Sequence, residues 1–68
     1  MDRTLSNQYL NQLYDDLSRA NQTTLATLKN EEIGTKKEKL ITKSLVIINN
    51  LLTNIRKLQI IKKDIDDI

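Results

Sequence analysis

The chain has 68 residues, with 11 basic and 9 acidic side chains and a formal net charge of +2. It lacks Cys, His and Pro, and its only aromatic residues are two tyrosines. Disulfide scaffolds, thiolate chemistry and the usual zinc centres are thereby excluded, and the charge is too balanced for a typical phosphate-binding surface.

A chain this short makes one domain, residues 1–68, and buries a low fraction of its surface, so it needs a staple or a partner. The opening MDRTLSNQ has neither the apolar core of a signal peptide nor an Arg-rich transit pattern. No apolar run approaches the ~20 residues that span a bilayer. A cytoplasmic protein is expected.

Residues 1–4 read as a frayed lead-in, with Thr4 or Ser6 as the cap of a first helix over about 5–30. Leu10, Leu13, Tyr14, Leu17, Ala20, Thr24, Leu25 and Leu28 recur mostly at spacings of three and four, the period of an amphipathic helix. Asn21 and Thr24 interrupt its apolar face. Tyr14 fits the edge of that face, and Tyr9 lies on its far margin as a contact residue for a partner.

The turn is expected at 31–35. Gly34 is the one residue free to take positive φ without a Cβ penalty, and Thr35 to Glu38 reads as a capping box. Glu31 and Glu32 oppose the dipole at the end of the first helix but suit the start of the second.

The second helix is expected over about 36–63. Leu40, Ile41, Leu45, Ile47, Ile48, Leu51, Leu52, Ile55 and Leu58 fall in one apolar band roughly 160° wide, broader than the ~100° stripe that meets a single neighbour. Leu45, Ile48, Leu52 and Ile55 are assigned to a seam with Leu13, Leu17 and Leu28. Leu40, Ile47, Leu51, Leu58 and Ile61 are the surplus offered to a partner, together with Tyr9. Beyond Lys63 the run of Asp64, Asp66 and Asp67 meets the negative pole of the helix, so fraying is expected there. Ile61, Ile65 and Ile68 drift away from the centre of the band, and Val46 and Ile60 lie on its polar side.

The fold class is therefore all-α: an antiparallel two-helix hairpin, packing on a partner or dimerising as a four-helix bundle. No catalytic, cofactor-binding or metal-binding residues are assigned. General acid–base chemistry wants a group that titrates near neutrality, and the carboxylates cluster at helix faces and ends. Lys36, Lys39, Lys43 and Lys57 form a stripe that reads either as a solvated face or as a nucleic-acid contact. The solvated face is preferred, because no aromatic residue interleaves it.

Leu13-Tyr14-Asp15-Asp16, then Asn30-Glu31-Glu32-Ile33-Gly34, then Lys43 to Leu51 (KSLVIINNL) resemble the sequence of motifs in the flagellin-export chaperones of bacterial type III export. Asp16 stands where that family has Gly, and the chain has no room for the remaining helices of its bundle. In size, hairpin layout and Ile/Leu-rich second helix the chain also resembles the small co-chaperones of the injectisome needle subunit. That resemblance implies a non-enzymatic cytoplasmic co-chaperone that packs on a second helical chaperone and keeps a secreted helical subunit from polymerising early. The competing reading is a homodimeric four-helix-bundle regulator that binds nucleic acid.

Overall fold

In the computed structural model, which describes residues 6–68, two helices run antiparallel: α1 over Asn7–Lys29 and α2 over Lys36–Asp66. No strand occurs among the described residues. The hairpin is a rod of 51 × 15 × 14 Å. Its radius of gyration of 15.5 Å exceeds the ~11 Å of a compact chain this long. A rod two helices thick has no interior: each helix can cover only one side of the other.

Each helix begins where a hydroxyl can cap it. The Ser6 Oγ accepts from the Tyr9 N–H at 3.4 Å, and the Thr35 Oγ1 accepts from the Glu38 N–H at 3.2 Å. Thr4 and the expected start at residue 5 lie outside the described residues. The capping box at Thr35 is half built, because the Thr35 N–H donates to the Glu32 carbonyl rather than to the Glu38 side chain. Across the turn, Lys37 pairs with Glu31 at 3.0 Å.

Gly34 sits at φ 90°, the left-handed region where a Cβ is strained, and open space surrounds the place a Cβ would take. Gly34→Ala should therefore lower stability by about 1 kcal/mol through backbone strain alone. Urea denaturation followed by circular dichroism would show it as a lower midpoint with unchanged slope.

α2 continues to Asp66, with Asp67 as its C-cap, so the expected end at residue 63 is corrected by about one turn. Lys62 donates to Asp66 one turn on, which partly offsets the repulsion between those carboxylates and the helix pole.

Three polar rungs fix the pairing. The Asn49 side chain donates to Asn21 at 3.3 Å, the Arg56 guanidinium lies 3.9 Å over the Tyr14 ring, and the Gln59 side chain donates to Asn11 at 2.7 Å. Each step toward the N-terminus of α1 is matched by an equal step toward the C-terminus of α2. The same register sets Asn7 beside Lys63 and Lys29 beside Ile41, so α1 runs alongside most of α2. α2 passes the start of α1 by a few residues, as its longer apolar pattern implies, and the larger shortfall in cover is in width.

Only Leu10, Leu45 and Ile55 are buried among the described residues, at 1%, 9% and 6% exposure. Leu13, Leu17, Leu28, Ile48 and Leu52 are half-buried around them. The assigned seam therefore sits where the helices meet. Leu25 does not join it; the side chain is 41% exposed, and Ala20 is exposed as well. Past Leu17 the covered face of α1 moves on by four residues to Asn21, then runs through Thr24 and Leu28. That extra step turns Ala20 and Leu25 outward.

Candidate interaction surface

The covered positions of α2 are Glu38, Ile41, Leu45, Ile48, Leu52, Ile55, Gln59 and Lys62, all buried or half-buried. They alternate steps of three and four without a break, the spacing of a heptad seam. α1 occupies this seam.

A second series with the same alternation runs beside it: Leu40, Ser44, Ile47, Leu51, Asn54, Leu58, Ile61, Ile65 and Ile68. It lies roughly 100° around α2 from the covered seam when the helix is indexed on seven residues per two turns. Seven of the nine side chains are Leu or Ile and none is charged. Leu40, Ile47, Leu51, Leu58, Ile61 and Ile65 are 52%, 60%, 44%, 38%, 49% and 49% exposed. The covered seam and this outer stripe together make the single wide band of the sequence. Ile61, Ile65 and Ile68, which drift when every apolar residue is counted in one band, fall on the outer stripe without deviation.

The three polar rungs show which flank of the hairpin is which. Asn49 and Arg56 stand on the side of α2 away from the outer stripe, and there they meet Asn21 and Tyr14. Tyr9 is on the flank of α1 opposite Asn11 and Tyr14, the one that borders the stripe, and the register sets it across from Ile61. Tyr9 is 42% exposed. The six residues assigned to a partner, Leu40, Ile47, Leu51, Leu58, Ile61 and Tyr9, thus lie on one side of the rod. Val46 and Ile60, 56% and 62% exposed, lie roughly 130° from the stripe and do not extend it.

The exposed apolar area along the stripe is on the order of 500 Å², at the upper end of the largest patch on a typical monomer.

The stripe's two polar residues differ in their chemistry. The Ser44 hydroxyl donates to the Leu40 carbonyl one turn back, at 3.1 Å, and is satisfied within the helix. The Asn54 carboxamide has no hydrogen-bond partner among the described residues. Along the outer edge of the stripe, at equivalent heptad positions, stand Lys36, Lys43, Asn50, Lys57 and Asp64, all exposed. That edge is predominantly basic.

Sequence reasoning missed the rungs. Asn21 reads as a flaw in the apolar face of α1, yet it is the acceptor for Asn49, and Arg56 covers the Tyr14 ring. It also passed over Asn54, whose significance depends on lying in a stripe with a period of its own. Two shallow depressions on α1, one lined by Asp15, Ser18, Arg19 and Gln22 and one by Ser6, Gln8, Tyr9 and Gln12, are open to solvent and bring together no nucleophile–base pair. No family model, curated protein or solved structure matches this chain.

Proposed function

We propose that this hairpin is a non-enzymatic binding protein that acts as a chaperone or co-chaperone in type III protein export, holding a helical partner on the outer stripe of α2. The observation that carries the reading is the continuous, uncharged heptad stripe from Leu40 to Ile65, exposed along its whole length. A helix with two adjacent heptad seams belongs between two neighbours, and the chain supplies one of them. Such a stripe takes up an amphipathic helix by matching apolar side chains at three- and four-residue spacing. The setting in export rests on the resemblance to the needle-subunit co-chaperones in size and layout.

Coexpression with a needle subunit and its helical-repeat chaperone tests this setting. A complex that co-elutes on size-exclusion chromatography, with polymerisation of the subunit suppressed, is the expected outcome. If the subunit polymerises equally fast with and without the chain, and no complex forms, the export reading falls.

The exposed lysines 36, 39, 43 and 57 are the one feature favouring the nucleic-acid regulator. Against it, Tyr14 is occupied by Arg56 and no aromatic residue of α2 stands beside the lysines to stack on a base. A salt titration separates the two. Binding to a stem-loop RNA that weakens steeply with salt, and further on replacing Lys39 and Lys43, belongs to the regulator alone.

A further inference from the structure

We infer that the occupant of the outer stripe is a heterologous helix with acidic residues along one edge and a polar side chain set against Asn54, and that Asn54 fixes its register. The inference rests on the docking reading above and specifies the partner's chemistry.

Asn54 carries the first half. Once a helix covers the stripe, the Asn54 carboxamide leaves water, and none of the described residues accepts from or donates to it. A buried amide without a partner is costly, so the occupant must present a hydrogen-bonding side chain there. Ser44 makes no such demand, because its hydroxyl is already bonded to Leu40. One polar position in an apolar seam thus selects one register out of those the heptad repeat allows, at a cost in raw affinity.

The lysine edge carries the second half. Lys36, Lys43 and Lys57 flank the stripe where ion pairs form across a helix–helix seam, and carboxylates on the occupant complement them. A carboxylate edge complements all three lysines, whereas an antiparallel second copy that sets Asn54 against Ser44 pairs Lys43 with Lys57 as well as Lys36 with Asp64, so its edge charges cancel rather than complement.

The test uses the full-length chain and three synthetic four-heptad helices with a Leu/Ile stripe. One has glutamate edges and a central Asn in the stripe, one has glutamate edges and Leu at that position, and one has lysine edges and the central Asn. Fluorescence anisotropy of each peptide gives its Kd. The glutamate-edged Asn peptide should bind about tenfold tighter than its Leu counterpart, the ratio expected for one unpaired buried amide. Asn54→Leu should reverse that preference, and Asn54→Ala should abolish it. The lysine-edged peptide should bind at least tenfold more weakly, and Lys43→Glu with Lys57→Glu should restore it.

Asn54 is exposed on α2, and circular dichroism of each variant reports whether the hairpin is kept. Tight binding of all three peptides without preference overturns this inference and leaves the docking reading standing. Binding of none overturns both. Sedimentation showing that a second copy already covers the stripe overturns the heterologous occupant.

Discussion

Ile55→Asp is expected to unfold the isolated hairpin. Ile55 is one of three buried side chains among the described residues, at 6% exposure, and it packs where the chain has no second layer to compensate. Truncation of such a residue to Ala already costs ~2–5 kcal/mol. Domains of this size rarely hold more than ~3–5 kcal/mol in total. A carboxylate buried there adds a desolvation penalty to that loss. The readout is helicity by circular dichroism at 25 °C, expected to fall to that of a largely unfolded chain. Survival of a cooperative thermal transition close to that of the wild type would show that the seam is not where the stability resides.

Leu51→Asp should have the opposite profile. Leu51 is 44% exposed on the outer stripe, so the substitution loses little packing in the free chain and costs it at most about 1 kcal/mol, most of it helix propensity. Bound, the same position lies near the middle of the docked helix, among Ile47, Asn54 and Leu58. An aspartate there is desolvated without a counter-charge, since the edge residue beside it is Asn50 rather than a lysine. Binding should weaken by more than 100-fold, the effect of an uncompensated buried charge of about 3 kcal/mol or more. Stability and binding therefore separate: Ile55→Asp removes both, and Leu51→Asp removes only the second.

The separation is legible in part in the sequence. The absence of Pro, the single Gly34 and the Thr35 cap placed the turn, because few residues can end one helix and start another. The wide band on α2 pointed to more apolar surface than α1 can cover. A band width, however, averages over two periodicities. Indexed at 100° per residue, Ile61, Ile65 and Ile68 wander, whereas the seven-residue repeat of paired helices places them in line with Leu51 and Leu58. Which repeat applies depends on α1 being wound alongside, and that is a tertiary fact.

The polar rungs were illegible for a related reason. Asn21, Asn49, Asn11 and Gln59 are common surface residues, and only the antiparallel register makes them pairs. That register also shows that the larger shortfall in cover lies along the side of α2 rather than at its end. The consequence for function is direct. A shortfall in length would leave a short apolar stub, whereas a shortfall in width leaves a groove-long seam for another helix.

The most direct test of that seam compares four aspartate substitutions at exposed apolar positions of α2. Ile47→Asp and Leu51→Asp fall on the outer stripe, while Val46→Asp and Ile60→Asp fall on the other flank at similar exposure, 56% and 62%. All four should keep the helicity of the wild type. Binding to the glutamate-edged Asn peptide should be lost in the first pair and stay within about threefold of wild type in the second, as expected for surface changes outside an interface. Equal loss in both pairs, or no loss in either, would contradict a partner-binding stripe running from Leu40 to Ile65.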